Sequence, residues 1–123
     1  MKRKILFVLF AGDDCRQAHA FWYALGLHTQ GHDTRLILEG PATQLLRDLD
    51  RPGSDLGPLL ARAQAEGILV GSCRAASIGC GSTDTTSPAV QSATAHAVPL
   101  LADMDGHAAI APFVDDGYEI VVI

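Results

Sequence analysis

The sequence predicts a single α/β domain over residues 1–123, with three layers in which helices cover both faces of a parallel sheet of about five strands. Three observations lead to this prediction. The chain has 123 residues, of which 48% are hydrophobic, and this suits one domain with its own core. Continuously apolar segments alternate with segments of helical periodicity, as in sheets covered on both faces. No repeat or linker divides the chain.

The first strand is predicted at residues 5–10, where every residue is apolar. Gly12-Asp13-Asp14 then forms a turn, and an Asp caps a helix over residues 15–30 that ends at Gly31. Periodicity and the positions of Gly and Pro predict the remaining elements. Strands are expected at 34–38, 68–72, 98–101 and 118–123, the last of them buried, and helices at 42–49, 56–65, 74–78, 88–97 and between 107 and 115.

Composition excludes several classes of function. Nine Lys and Arg against fourteen Asp and Glu give a net charge of −5, which argues against binding to nucleic acid. No segment approaches the ~20 apolar residues of a membrane span, so no membrane association is expected. The basic N-terminus and the short apolar run after it lack a cleavage pattern and indicate a strand, not a signal peptide. Three cysteines without a secretion signal predict reduced thiols in the cytoplasm.

The candidate ligand-binding residues follow the predicted strands. Right-handed helical crossovers bring the carboxyl ends of parallel strands to one edge of the sheet, and α/β proteins bind ligands there. Side chains from four separate segments are therefore expected to meet at this edge. The predicted ligand-binding residues are Gly12, Asp13, Cys15, Glu39, Ser72 and Asp103.

Cys73 is the candidate for covalent chemistry, because it ends a predicted buried strand and begins a helix. Free N–H groups and the helix dipole at that position favour a thiolate, and Arg74 adds positive charge. The acidic residues expected at the same edge act in the opposite direction, since their charge raises the pKa of a thiol. A role as a small buried apolar residue fits the position equally well.

The other two cysteines are less informative. Cys15 begins the first predicted helix and would lie close to Cys73 if their strands were neighbours, although a packing role is favoured. Cys80 comes seven residues after Cys73, too far along a helix for a disulfide, so a loop thiol is expected. No CxxC pattern is present, so neither a thioredoxin-type motif nor a zinc knuckle is indicated.

His107 stands near Asp103 and Asp105, where an imidazole and two carboxylates can bind a metal ion or move a proton. The favoured interpretation is a turn with a hydrogen-bonded His, because no second ligand group has a diagnostic spacing. No metal site and no cofactor are therefore predicted.

Taken together, these segments resemble the DsrE/DsrF-like (YchN-like) proteins, small α/β domains linked to sulfur relay. The resemblance spans nearly the whole chain and rests on the order and spacing of residues 11–14, 31–40, 66–73, 99–107 and 117–122. It implies a homo-oligomer (a dimer, trimer or hexamer). It also implies that Cys73, which follows the third strand, carries a persulfide. Many relatives have a second cysteine three residues later, where this chain has Ala76.

Two functions remain open, and the sequence does not decide whether the protein is an enzyme. The first is a cytoplasmic sulfur carrier or sulfurtransferase-like protein. Cys73 would receive sulfur from a donor protein and pass it to a thiol of an acceptor protein, with Arg74 or His107 stabilising charge. The alternative is a non-catalytic oligomeric module that binds a small molecule or a metal in the pocket at the carboxyl ends of the strands. Asp103, Asp105 and His107 would be its contacts.

Overall fold

The computed structural model describes residues 1–123, which form five strands, five α-helices and one 3₁₀ helix. The strands are β1 (Lys4–Leu9), β2 (Asp33–Leu38), β3 (Leu69–Cys73), β4 (Leu100–Leu101) and β5 (Glu119–Val122). The α-helices are α1 (Asp14–Thr29), α2 (Leu56–Ala65), α3 (Arg74–Ile78), α4 (Pro88–Ala95) and α5 (Ala111–Asp115), and the 3₁₀ helix is Gly40–Asp48.

All five strands are parallel and form one sheet in the order β4-β3-β2-β1-β5. The predicted three-layer α/β fold is confirmed. β1 pairs with β2 along its whole length and with β5 on its other side. The first four strands are added in one direction, whereas β5 is added beyond β1. The strand order therefore reverses between β1 and β5.

The larger core lies on one face of the sheet. Inward-facing residues of β1, such as Phe7 and Leu9, pack with residues of α1, α2, α4 and the 3₁₀ helix in a cluster of 21 buried side chains. Phe21 and Leu25 lie one helical turn apart on α1 and are both fully buried. This face holds most of the apolar side chains that drive folding.

The opposite face of the sheet has a thinner cover. Alternate residues of β1, Leu6 and Val8, point to this side and belong to a cluster of only six buried residues. The five-residue helix α5 has no buried residue. Several large apolar side chains around this layer are consequently exposed: Phe10, Met104, Ile110, Val114 and Val122.

The last strand corrects the expectation that residues 118–123 are buried. β5 is an edge strand with a single neighbour, and its residues Val121 and Val122 are 37% and 63% exposed. Apolar, β-branched composition alone does not distinguish a central strand from an edge strand under a thin helical layer.

The segment predicted as an α-helix at 42–49 is also different, since it forms the 3₁₀ helix. Glu39 caps this helix by accepting a hydrogen bond from the backbone N–H of Gly40 at 3.0 Å. The backbone N–H of Ala42 donates to the carbonyl of Glu39, three residues earlier, at 3.1 Å. That spacing is the hydrogen-bond pattern of a 3₁₀ helix. The hydroxyl of Thr43 also donates to the carbonyl of Gly40, at 2.8 Å. The other elements differ from prediction at their ends: α4 ends at Ala95, β4 has only two residues and α5 begins at Ala111.

None of the helices combines the length and the apolar content needed to cross a bilayer.

Candidate functional site

The carboxyl edge of the sheet carries the predicted ligand-binding residues, but the structure distributes them among separate places. Glu39 and His107 line one cavity, Gly12 lines a second and Cys15 lines a third. Two faces of one sheet and the helices that follow its strands separate these groups. A common edge therefore does not mean a common site.

The cavity lined by Glu39 and His107, called here the β1–β5 cavity, has a volume of about 340 Å³. It lies where the strand order reverses, between the end of β1 and β5. Seven of its nine lining residues are hydrophobic: Val8, Phe10, Met104, Ala108, Ile110, Ile120 and Val122. The carboxylate of Glu39 and the imidazole of His107 are its two polar side chains. Such a mixture is typical of sites for small organic molecules.

Cys73 lies beside this cavity without lining it. Its side chain is fully buried, and its Sγ is 4.0 Å from Nδ1 of His107. Burial raises the pKa of the Cys73 thiol, hydrogen bonds with the backbone of Ala76 and Ala108 lower it, and Glu39 raises it through a hydrogen bond and its negative charge. Because the net shift is upward, the thiol is protonated at neutral pH.

Of the two roles that the sequence leaves open for Cys73, the direction of this shift favours the small buried residue over a thiolate at the start of α3. Two backbone hydrogen bonds stabilise the anion, but burial under Ala76 and Ala108 outweighs them. The expectation that acidic residues at the edge raise the thiol pKa is met by Glu39.

The loop that carries His107 is held by backbone hydrogen bonds. Met104 and His107 exchange N–H to carbonyl bonds, both at 2.9 Å. The carboxylate of Asp103 accepts from the N–H of Ala109 at 3.2 Å, and the N–H of Ala75 donates to the carbonyl of Gly106 at 3.0 Å. Asp103 thus shapes the loop and does not line the β1–β5 cavity.

Three further predicted residues also have structural contacts. Ser72 is fully buried, and its hydroxyl lies 2.8 Å from that of Ser77. Asp13 caps α1 by accepting from the N–H of Arg16 at 3.0 Å. Arg74 is half-buried at the first position of α3. The β1–β5 cavity is not lined by Ser72, Asp13 or Arg74.

The three cysteines are free and lie in different places. β2 separates the strands that precede Cys15 and Cys73, so the condition for their proximity is not met. Cys15 is exposed, contrary to the favoured packing role, and its Sγ lies 3.7 Å from Nδ1 of His19. Cys80 is an exposed residue in a turn, as predicted.

Sequence reasoning missed the apolar residues of the β1–β5 cavity. Ile120 and Val122 alternate along β5 and therefore share one face, a pattern that is visible in the sequence. Nothing in the sequence indicates that β5 lies next to β1, and only that neighbour relationship brings Phe10 and Val122 to the same cavity.

No protein-family model, curated protein or solved structure matches this chain. The resemblance to DsrE/DsrF-like proteins stays a prediction. No group of three or more His, Cys, Asp or Glu side chains is arranged to hold a metal ion.

Proposed function

We propose that the protein binds a small organic molecule in the β1–β5 cavity. The observation that carries this proposal is the position of an apolar cavity at the reversal of strand order. Open α/β sheets bind ligands outside the carboxyl ends of the strands at such reversals. The apolar lining provides the free energy of binding by removing hydrocarbon from water, and the two polar side chains orient the ligand.

The polar groups indicate the chemistry of the ligand. Oε1 of Glu39 accepts from the N–H of Gly40, but an ionised carboxylate has further acceptor positions and no donor. No Lys or Arg lines the cavity, so a carboxylate on the ligand would have no cationic partner. The ligand is therefore an apolar molecule whose head group donates hydrogen bonds, such as an amine.

Ligand titration followed by NMR tests this function with hexylamine and hexanoate as probes. Hexylamine should bind, and hexanoate should bind much more weakly because Glu39 repels it. Glu39→Gln should weaken hexylamine binding by about tenfold, as loss of a charged partner predicts. Asp55→Asn removes an exposed carboxylate next to another cavity and is the matched control. Equal binding of the two probes would contradict the proposal.

A sulfur carrier is the second candidate, and the surroundings of Cys73 favour it. Nδ1 of His107 lies 4.0 Å from its sulfur, and interactions with the backbone of Ala76 and Ala108 lower the pKa of the thiol. His107 is thus placed to accept the thiol proton. The Cys73 thiolate would attack the outer sulfur of a donor persulfide. The donor S–S bond would break, the released thiolate would take up a proton, and Cys73 would hold the persulfide.

In this second candidate, Arg74 and His107 stabilise the negative charge, and a thiol of an acceptor protein later removes the outer sulfur. The Cys73 side chain has no exposed surface. The residues that cover it, Ala76 and Ala108, must therefore move before a sulfur donor can reach the thiol. Local opening of this thinly covered face would expose the sulfur to protein and small-molecule donors alike.

Mass spectrometry after incubation with glutathione persulfide separates the two candidates. A carrier should gain one sulfur atom on Cys73 in a variant whose other cysteines, Cys15 and Cys80, are changed to Ser. Cys73→Ser in the same background is the control. Hexylamine binding without sulfur on Cys73 would leave the ligand-binding function alone.

Assembly and location complete the proposal. A homo-oligomer is supported by the exposed apolar side chains of the β5 edge and its surroundings, because such patches are uncommon on monomers. A cytoplasmic location is supported by the odd number of cysteines, all of which are free.

A further inference from the structure

His96, which follows α4, is held in one orientation by two hydrogen bonds. Its Nδ1 lies 2.9 Å from the carbonyl oxygen of Ser92, which can only accept, so Nδ1 carries a hydrogen. Its Nε2 lies 3.2 Å from Oδ1 of Asp50. An ionised carboxylate also only accepts, so Nε2 carries a second hydrogen and the ring is an imidazolium. The bond to the backbone of Ser92 and the bond to Asp50 both raise the pKa of His96.

The imidazole of His96 lines a cavity between α2, the end of α4 and the turn after the 3₁₀ helix, called here the His96 cavity. Its volume is about 350 Å³, and it shares no lining residue with the β1–β5 cavity. Its walls are largely apolar and consist of Leu49, Gly57, Pro58, Leu60 and Ala61. Such a cavity suits a small apolar body whose head group reaches a few polar side chains.

The fixed polar groups of the His96 cavity are hydrogen-bond donors. Nε2 of Gln64 donates to the carbonyl of His96 at 2.9 Å and has a second hydrogen. The His96 side chain is only 29% exposed, and its Nε2–H is the charged donor. Gly57 and Pro58 belong to the first turn of α2, where the positive end of the helix dipole favours an anion. These groups together favour a negatively charged head group.

Asp50 is the group that a bound anion would replace. It is the only acidic residue that lines the His96 cavity, and no Lys or Arg lines it. The carboxylate of Asp50 is 87% exposed and is paired with His96 alone, and ion pairs this exposed contribute little to stability. A ligand carboxylate would make the same charge contact and would also remove hydrocarbon from water against the apolar walls. The exchange therefore favours the ligand.

We propose that the His96 cavity binds a small apolar carboxylate. The carboxylate accepts from Nε2 of His96 in place of Asp50 and accepts a second hydrogen bond from Gln64. A neutral His96 keeps its single hydrogen on Nδ1, because Ser92 holds it there, and then turns a lone pair of Nε2 toward the ligand. Binding therefore requires the imidazolium. Asp50 is the only charged side chain that faces the ring in this cavity, since Gln64 of α2 and Ser92 of α4 are neutral.

NMR titration with benzoate as the probe tests this inference at about pH 5.5, below the pKa of about 6.5 of an unperturbed histidine. Benzoate should give saturable shifts at the amides of Leu49, Leu60 and His96, and benzylamine should not. The amides of the β1–β5 cavity should not shift with benzoate. Because the neutral ring does not bind, benzoate affinity should fall by about tenfold or more between about pH 5.5 and about pH 8.5.

Variants of Asp50 and His96 test the two contacts separately. Asp50→Asn removes the competing carboxylate and should strengthen benzoate binding about threefold at this acidic pH, where the ring stays protonated. Asp55→Asn is the matched control, because it removes an exposed carboxylate that does not line the His96 cavity. His96→Gln, checked for folding by circular dichroism, should weaken benzoate binding by about tenfold through loss of the charged donor.

Equal binding of benzoate and benzylamine in this cavity would overturn the proposal, and so would shifts that stay linear in benzoate concentration. An affinity that does not change with pH would contradict the imidazolium contact. The same benzoate affinity in Asp50→Asn and Asp55→Asn would contradict the replacement of Asp50. Because Asp50 is exposed, this last comparison is decisive even if His96→Gln does not fold.

Discussion

At the scale of single residues, the surroundings of Cys73 decide its reactivity. The position of a thiol at the end of a strand and the start of a helix suggests a thiolate, yet the structure surrounds the sulfur with Ala76, Ala108, Ile37 and other core residues. Backbone hydrogen bonds stabilise an anion by less than burial destabilises it. The resting state is therefore a protonated and inaccessible thiol.

Native-state alkylation checks this conclusion. Cys73 is buried and Cys15 and Cys80 are exposed, so iodoacetamide should modify Cys73 more slowly than either of the others by a factor of about ten or more. Peptide mass spectrometry over time measures the three rates. In urea the rates should become similar, which provides the control. Comparable rates in the native protein would show that Cys73 is accessible.

Part of this site was predictable. The location of Cys73 at the carboxyl end of β3 and the effect of an acidic residue on its pKa follow from strand and charge patterns. The choice between a buried and a reactive Cys73 was not predictable, because Ala108 lies far from Cys73 in sequence and covers it only through the path of the 102–110 loop. Gln17 on α1 has a buried side-chain oxygen, Oε1, without a hydrogen-bond partner. This property depends on how α1 packs against the rest of the chain, and the position of Gln17 in the helix does not predict it.

At the scale of elements, the β3–β4 contact depends on Gly71. A Cβ atom at this position would lie 2.4 Å from the carbonyl oxygen of Pro99 and 2.9 Å from Cγ of Leu101. Gly71→Ala should therefore force β4 away from β3 and lower the free energy of unfolding by about 1–3 kcal/mol. Urea denaturation measures the change.

Gly26→Ala is the matched control, because a Cβ there has no neighbour within 4 Å. Gly26 lies inside α1, where Ala is preferred by about 0.5–1 kcal/mol. The control should be more stable than the original protein. A stability loss of the same size in both variants would show that the clash at Gly71 does not determine the effect.

Tyr118, the residue immediately before β5, contacts the first residue of β2, a strand that is not a neighbour of β5. Its hydroxyl donates to Oδ2 of Asp33, at the start of β2, at 2.8 Å, across the strand β1. Burial raises the pKa of Asp33. Hydrogen bonds from Tyr118 and Arg35, together with the positive charge of Arg35, lower this pKa by more, so the net shift is downward. This interaction contributes stability above the unfolded pKa of the carboxyl group, and the contribution is lost as pH falls through the folded pKa.

Tyr118→Phe should lower the free energy of unfolding near neutral pH by about 1 kcal/mol. The difference from the original protein should shrink in acid, because a protonated Asp33 is a weaker acceptor. Urea denaturation at several pH values measures both effects, and NMR titration of Asp33 should show its pKa rising in the variant. A difference that does not change with pH would assign the loss to packing alone.

The elements also show which structural features a sequence pattern carries. Short segments rich in apolar residues located β1, β2 and β3 to within one or two residues, because central parallel strands are buried on both faces. The same pattern misrepresented β5, because an edge position is a property of strand order. Strand order depends on contacts among distant segments, and no local pattern in residues 119–122 reports it.

At the scale of the whole molecule, the two faces of the sheet are unequal, and the exposed apolar residues lie near the thin one. If copies of the chain associate through β5, a charge at Val122 should oppose association. Val122→Lys should shift the sedimentation coefficient toward that of a monomer. Lys2→Ala, which changes an exposed residue at the opposite end of the sheet, should not. A single unchanged species for all three proteins would refute association through this edge.

The reversal of strand order has a further consequence for how the molecule assembles. β1 and β2 are consecutive in the sequence and pair in the sheet. The other neighbour of β1 is β5, which lies near the opposite end of the sequence. The β1–β5 pairing joins the two strands that are farthest apart in the sequence, so we expect it to form late in folding. A molecule bound in the β1–β5 cavity contacts both strands and stabilises their pairing. Without it, β5 should be the first strand to open, so ligand binding should slow hydrogen exchange of the β5 amides.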